Sequence, residues 1–322
     1  MKTLTQKMAR NAKPVLDAAQ SIFFSRELEQ IETRLYKVKY PDLEAEMLLP
    51  NRIMLPAGVD KYTWRLFDEN AKAVPMAGHE DGAPVSDVDG DEQSASVQSW
   101  AGAFAFNIDE IAAAAHAGMP LEQMRADAVR RRLALALNTM ALLGDSAAGV
   151  KAGIKGLFKL DNTLTATIAA DGTGASKLWT TKTADLVLRD LFQIVDSIPN
   201  NTLDIEGGAA RPMNLVMPKA NLRFIGTLRL GTSASDTTVL EFFRRQRPNI
   251  TIMGANYLPT AGASSVSRTV CYDPAQVSWL GSIPFEQLPV EQKGYRFVTN
   301  CRARGGGVIT PYPKSVLYAD GC

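Results

Sequence analysis

The sequence predicts an α+β protein, and three features of its 322 residues indicate that class. Two alternating segments between residues 60 and 106 predict a long two-stranded hairpin. An unbroken helical pattern follows from Leu121 to Leu143, and residues 183–260 then alternate between helices and strands. We therefore expect a body with a projecting hairpin, one long helix and a separate α/β module.

Composition and charge exclude several classes of protein. The chain has 35 basic and 34 acidic residues, a net charge of +1, whereas a dedicated nucleic-acid binder carries a clear basic excess. A balanced charge suits a protein that lies beside many copies of itself. No secretory leader core and no apolar run of about 20 residues is present. We expect synthesis and use in the cytosol, or in something assembled there, and no membrane partner.

The three cysteines indicate neither a disulfide framework nor a metal site. Cys271, Cys301 and Cys322 show no CxxC spacing and have no histidine nearby. Such cysteines are expected to be free thiols of a reducing compartment.

The N-terminal region is expected to be an arm without its own core. Residues 1–25 mix charges and are interrupted by Pro14. From Ser25 onward, the spacing of Leu28, Ile31 and Leu35 predicts an amphipathic helix. Pro41 ends that region.

The predicted hairpin has an unusual connection. Residues 61–67 and 94–106 alternate like strands. Between them lies a stretch of about 25 residues rich in Gly, Pro and Asp, a length that is uncommon inside a compact domain unless it serves a function. The pattern predicts two strands with a flexible polar tip.

Two helices with clear start and stop signals come next. Residues 107–110 form a capping-box variant, and Gly118 ends the first helix. Pro120 occupies a favoured first-turn position, and the second helix continues to Gly144. At 1.5 Å per residue it is roughly 35 Å long.

The remaining sequence predicts a second module and a strand-rich tail. Residues 145–182 are expected to form loops with short strands. The predicted helices are 183–197, 219–227 and 239–245, and the predicted strands are 214–218, 250–253, 277–280, 295–298 and 307–310.

This order of elements resembles a known family. The segments that carry the resemblance are residues 62–72, 106–111, 117–121, 138–145, 155–158 and 305–313. They are similar to the major capsid proteins of tailed phages with the Johnson fold, which encapsulin nanocompartments and the herpesvirus capsid floor share. Lys159 stands where the family often has Asn.

The resemblance implies a division of the chain and a function. It implies an arm with a short helix (1–50), an extended hairpin loop (51–106), a peripheral domain with a spine helix (107–182), an axial domain (183–260) and return strands (261–322). The expected function is that of a shell subunit, neither an enzyme nor a cofactor binder, forming pentamers and hexamers of an icosahedral virion around double-stranded DNA. Scaffold, portal and decoration proteins are possible partners, and assembly is expected in the cytoplasm of the bacterial host.

Eight residues are candidates for contacts between subunits. The aromatic residues are expected to be half exposed in a monomer and buried in the assembly. The arginines could form ion pairs between subunits, remain solvated, or make salt-sensitive contacts with packaged DNA. These candidates are Trp64, Phe67, Trp100, Phe104, Arg130, Arg131, Arg244 and Arg245.

Other chemical motifs have simpler explanations. The two histidines, His79 and His116, lack a ligand or dyad spacing. Gly144-Asp145-Ser146 resembles the start of a hydrolase motif but follows a long helix, where Gly144 serves as a C-cap. Val150 breaks the phosphate-loop template, and residues 87–98 lack the Gly and Glu that complete a calcium loop.

Two alternative functions stay open from the sequence. One is a cell-encoded nanocompartment that encloses protein cargo. The other is a small-molecule enzyme built on residues 183–260.

Overall fold

The computed structural model describes residues 38–70, 87–205, 211–231 and 237–322. Residues 1–37 of the predicted arm, the helix around Leu28 and His79 lie outside these residues. The end of the predicted arm is described, and its helix Ala45–Leu48 packs into the core of this chain. The chain divides into two units, residues 1–42 and residues 43–322. The architecture below is that of the second unit.

Six α-helices occur in the described residues. They are α1 (Ala45–Leu48), α2 (Ile108–Ala117), α3 (Leu121–Leu143), α4 (Ala184–Thr202), α5 (Lys219–Thr227) and α6 (Val239–Gln246).

Ten strands form two five-stranded sheets in the same residues. Sheet 1 has the order β1-β8-β9-β3-β2 and sheet 2 the order β4-β10-β7-β5-β6. The strands are β1 (Arg52–Met54), β2 (Lys61–Asn70), β3 (Asp87–Asn107), β4 (Leu164–Ala166), β5 (Met213–Pro218), β6 (Ile250–Ala255), β7 (Arg268–Tyr272), β8 (Ser278–Lys293), β9 (Arg296–Ile309) and β10 (Val316–Asp320).

Local signals set the bounds of the long helix and its predecessor. Asn107 and Glu110 form the capping box at the start of α2, and Gly118 ends that helix in the left-handed conformation. α3 begins after Pro120 and ends at Gly144, whose φ of 60° favours glycine. The predicted bounds of α2 and α3 are confirmed.

Sheet 1 packs under the C-terminal half of α3. Leu133, Leu137 and Met140 of the helix are buried in one apolar cluster with residues of β3, β8 and β9. β9 approaches the neighbouring segment so closely at Gly307 that a side chain there would collide with the Lys155 backbone. The glycines of this strand therefore allow close packing and do not break the strand.

Sheet 2 is buried on both faces. In β5, Leu215 belongs to the cluster formed with α4, α5 and α6, whereas Val216 points into the cluster shared with α3. β7 and β10 alternate in the same way. All six residues of β5 are buried, as the sequence predicts for that strand.

Several predicted strands have different extents in the structure. Residues 295–298 and 307–310 were expected as separate strands but fall almost entirely in one strand, β9, whose residues 305–307 pack closely against α3, β8 and the segment at Lys155. β3 begins at Asp87, so the connection expected over residues 69–93 is partly strand. The strands β7 and β10 have no counterpart among the sequence predictions. α4 continues five residues beyond Ser197, through Pro199.

Candidate assembly surfaces

The partner of β3 changes along its length. Residues 97–107 pair with β9 inside sheet 1, whereas residues 87–96 pair only with β2. The segments 61–70 and 87–96, here called the outer hairpin, therefore form a two-stranded ribbon with no third strand among the described residues. Ten residue pairs at about 3.3 Å each give a ribbon of roughly 33 Å.

Arg304 joins the base of the outer hairpin to sheet 1. Its guanidinium donates to the carbonyl of Val59 at 2.7 Å and also contacts Ala57 O and the carboxylate of Asp60. Sequence reasoning missed this residue, because 244 positions separate it from Asp60. No local pattern could have indicated the contact.

Two of the candidate aromatic residues lie on the outer hairpin. Phe67 is 71% exposed and its ring rests over Gly90 on the opposite strand. Trp64 is half-buried, and its ring stacks on Tyr62 with centroids 6.3 Å apart. The structure thus places both residues on the ribbon, with Phe67 open to solvent.

The other two aromatic candidates, Trp100 and Phe104, lie on the part of β3 that pairs with β9, and the expected half exposure is wrong for Phe104. Phe104 is only 6% exposed and makes an edge contact with Phe106. Trp100 is half-buried, packs against the core cluster and lies against Gly149. The physical reason is that β9 pairs with this part of β3, which brings both rings into the body.

The arginine candidates are exposed. Arg130 and Arg131 lie on the N-terminal half of α3, where no residue before Leu133 is buried, and the Arg130 guanidinium stands 4.9 Å from the Phe285 ring. Arg244 and Arg245 lie in the last turn of α6, and Arg245 is 3.4 Å from Glu241. Among the described residues, the pair on α3 and the pair on α6 do not share a contact.

α2 is attached to α3 through an ion pair. The Arg125 guanidinium donates to Glu110 at 2.9 Å and contacts the carbonyl of Ala105. The Arg125 hydrogen bond, together with the Asn107 backbone N–H, holds the pKa of Glu110 below its ordinary value. None of the residues of α2 is buried.

The motifs considered for catalysis have structural partners. Asp145 accepts a hydrogen bond from the Gly153 N–H and lies 3.7 Å from Lys155, so it orders the turn after α3. Ser146 and His116 are exposed. Asp89 and Asp91 lie on the paired strand β3, so the alternation first compared with a calcium loop reflects strand geometry. In the described part of the chain, no group of three potential metal ligands occurs.

The α/β module carries a surface cleft. It has a volume of about 320 Å³ and lies between α4 and β6, where Arg247 donates to Asp196 at 2.6 Å. The lining residues are Val195, Asp196, Pro199, Asn200, Asp204, Met213, Arg247, Asn249 and Ile250, which include no Ser, Thr, Cys, His or Lys.

The cysteines are free thiols, as predicted. All three are buried, and burial raises the pKa of Cys271 to about 12 and that of Cys322 to about 11. A thiol with such a raised pKa is a poor nucleophile near neutral pH. No helix of the described residues combines the length and the apolar character needed to cross a membrane.

Comparisons with known proteins agree on one family. The family model described as "Major capsid protein" matches residues 71–322. No curated protein matches the chain significantly.

Solved structures share the fold. The capsid of the Myoviridae phage XM1 is 15% identical, with a TM-score of 0.78, over 94% of this chain and 99% of that one. A chain of Mycobacterium phage Ogopogo is 11% identical, with a TM-score of 0.57, over 93% and 99%. The mature capsid of bacteriophage PhiM1 is 13% identical, with a TM-score of 0.53, over 91% of both chains.

The fold class expected from the sequence, the α+β phage capsid (Johnson) fold, is therefore confirmed. With the family match covering residues 71–322, the chain belongs to the major capsid protein family of tailed phages and is a structural component of the virion.

Proposed function

We propose that this chain assembles through pentamers and hexamers into an icosahedral shell that encloses the double-stranded DNA of a tailed phage. It acts by binding copies of itself, without a catalytic step. Family membership supports a structural role, and the described surface supports the mode of assembly.

The observation that carries the proposal is the outer hairpin. A two-stranded ribbon is marginally stable in water without a third strand or a packed face. Here one face presents Phe67 at 71% exposure and Val88 at 59% exposure. Large exposed apolar side chains on a projecting element are typical of protein contact sites. A neighbouring copy supplies the missing burial.

The two sheets belong to two different domains of the subunit. Sheet 1 with α3 forms the peripheral domain with its spine helix, and sheet 2 with α4, α5 and α6 forms the axial domain. The axial domains meet around five-fold and six-fold axes, and the outer hairpin adapts to the differing angles. The part of the predicted arm before α1 is proposed to cross a neighbour, since Ala45, Leu48 and Leu49 are buried in the core of this chain.

Many modest contacts stabilise such a shell. A single exposed ion pair contributes only about 0.2–1 kcal/mol, but closed rings make every contact many times and link each copy to several others. Arg244 and Arg245, exposed on α6, are proposed to contact packaged DNA or a neighbouring copy without sequence specificity. Scaffold, portal and decoration proteins are proposed as further partners.

Electron microscopy of the purified, expressed chain tests this proposal. The expected result is closed particles with five-fold and six-fold clusters of subunits. A monodisperse monomer at all concentrations, with the outer hairpin folded against its own body, would contradict it.

The contents of the particles separate the alternatives. Nuclease-protected DNA in particles from infected cells supports the phage shell, whereas an enclosed enzyme and no DNA indicates a nanocompartment. Loss of an activity on changing Asp145 and Ser146 together, with assembly intact, would indicate an enzyme instead.

A further inference from the structure

The two faces of the outer hairpin differ in charge. On one face Asp68 stands directly opposite Asp89, and Asp91 follows two residues along the same strand. These three aspartates are here called the acidic face, and no Lys or Arg lies beside them on that face within residues 61–69 and 88–96. Carboxylates placed directly opposite each other on two strands repel each other. The isolated hairpin therefore carries an unfavourable charge arrangement.

The opposite face of the same hairpin is neutralised. Arg65 stands opposite Glu92 and its guanidinium donates to that carboxylate at 3.2 Å. Lys61 and Glu69 complete a face with equal numbers of positive and negative groups. Among the described residues of the hairpin, one face is thus neutral and the other is acidic. Among the described residues, Asp68 and Asp89 form no ion pair, and Asp91 only accepts a hydrogen bond from Gln93 at 3.3 Å.

A matching cation cluster lies elsewhere on the chain. Arg130, Arg131 and Arg132, here called the arginine cluster, are consecutive and exposed on α3. Within the described ranges, neither Arg130 nor Arg132 pairs with a carboxylate. Stacking over Phe285 holds the Arg130 guanidinium while its N–H groups stay available to an acceptor. Guanidinium groups match carboxylates in geometry, which suits this cluster to an acidic partner.

The acidic face cannot reach the arginine cluster of its own chain. Val129, next to Arg130, packs over Gly102 of β3, and Gly102 is thirteen residues from Asp89 along that strand. At about 3.3 Å per residue this separation is about 40 Å. Any pairing of the two surfaces must therefore join two copies.

We propose that the acidic face of the outer hairpin docks on the arginine cluster of a second copy. This inference rests on the proposed function and names the surface that receives the hairpin. Charge complementarity of this kind sets the register of a contact and speeds its formation more than it adds affinity. It directs the hairpin to one helix of the neighbour, while Phe67 and Val88 remain on the other side of the ribbon for a further contact.

Charge reversal tests the proposal. The variants Asp68→Lys/Asp89→Lys and Arg130→Glu/Arg132→Glu are each expected to reduce the yield of closed particles at least tenfold at low salt. The variant that combines all four changes is expected to restore most of that yield. The matched control Arg65→Glu/Glu92→Arg exchanges charges on the other face and is expected to assemble normally. Normal assembly of both reversed variants, or no recovery in the combined variant, would overturn the proposal.

A variant with neutral side chains tests the proposal with less risk of misfolding than charge reversal. Asp68→Asn/Asp89→Asn removes the cross-strand repulsion, so the subunit is expected to unfold no earlier than the unmodified chain, yet assembly is expected to slow several-fold. Unchanged assembly kinetics would contradict the proposal.

Cross-linking gives an independent readout. The variant Asp89→Cys/Arg132→Cys places two thiols about 40 Å apart in one chain, and the three native cysteines are buried. Mild oxidation of assembled particles is expected to produce covalent oligomers, and Arg65→Cys/Arg132→Cys serves as the control. Oligomers from the control but not from the test variant would overturn the inference. Particles that form normally but do not cross-link contradict this inference alone, whereas failure of the unmodified chain to form particles contradicts the proposed function.

Discussion

Sheet 2 and the outer hairpin are both made of β-strands, but only sheet 2 has its burial partners within the chain. Each of its central strands sends alternate side chains into two apolar clusters, one under α4, α5 and α6 and one shared with α3. The outer hairpin has two strands, and Phe67 and Val88 remain exposed on it. The difference indicates which part of the molecule stabilises the subunit and which part depends on other copies.

The largest expected loss of subunit stability comes from a change in the core beside sheet 2. Phe243 of α6 is fully buried in the cluster between the helices and the sheet and lies 5.3 Å from the Phe192 ring, centroid to centroid. Phe243→Ala is expected to lower the free energy of unfolding by about 3–5 kcal/mol. Chemical denaturation of the unassembled subunit measures this change. A loss below about 1 kcal/mol would show that this cluster does not support the subunit.

A buried charge network gives the next largest effect. Lys182 is fully buried, donates to Asp190 at 2.6 Å and to Ala169 O at 2.7 Å, and lies 2.9 Å from Asp171. Among the described residues, Lys182→Met leaves the buried Asp190 with Arg189 as its only cation, so we expect the free energy of unfolding to fall by about 3 kcal/mol.

The control for that network is Arg189→Met. The Arg189 side chain is 47% exposed, and Lys182 still neutralises Asp190 in this variant. The free energy of unfolding is therefore expected to fall clearly less in Arg189→Met than in Lys182→Met. Equal losses in thermal or chemical unfolding would contradict the assignment of Lys182 as the central residue.

The ion pair between Asp320 of β10 and Arg268 of β7 makes the stability of sheet 2 depend on pH. Burial raises the pKa of Asp320, but the paired Arg268 guanidinium, at 2.7 Å and 2.8 Å, and the Ala263 N–H lower it more, so its pKa lies below the ordinary value. A lowered pKa means that the pair stabilises the fold above the ordinary aspartate pKa, and that this stability is lost as the pH falls through the lowered value.

The variant Asp320→Asn isolates this pair. It is expected to cost about 1–2 kcal/mol at pH 7 and to cost little at a pH where the carboxylate is protonated. Unfolding curves of both proteins from neutral to acid pH measure the difference. A cost that does not shrink on acidification would contradict the linkage.

The outer hairpin gives the smallest effect on the subunit. Phe67→Ser is expected to change the free energy of unfolding by less than about 0.5 kcal/mol, since the side chain is exposed. The same change is expected to lower the yield of particles, because a neighbour loses an apolar contact. Leu66→Ser, a change of a half-buried residue on the other face, serves as the comparison. A large loss of subunit stability for Phe67→Ser would show that the hairpin is already packed in one copy.

Local signals predicted the helices well. Caps, prolines and glycines fix α2 and α3 within a few residues, so the sequence alone predicts them. The strands depend on distant partners, and the predicted strands 277–280, 295–298 and 307–310 cover only parts of β8 and β9. The close approach of α3, β8 and the segment at Lys155 to residues 305–307 explains why glycines continue this strand.

The outcome for the candidate contact residues also depends on which strands pair with each other. Alternation predicted that Trp64 and Phe67 lie on a strand, and they do. Alternation could not distinguish the part of β3 that pairs with β2 from the part that pairs with β9, and this difference buries Phe104. The acidic face likewise depends on the register of Asp68 with Asp89, which the sequence does not reveal.

Hydrogen exchange on the unassembled subunit and on the closed particle tests the central claim most directly. The account predicts that amides of the outer hairpin exchange rapidly in the subunit and become strongly protected in the particle, because a second copy supplies the missing burial. Amides of sheet 2 are expected to be protected in both states. Equal protection of the outer hairpin in the subunit and the particle would contradict the account.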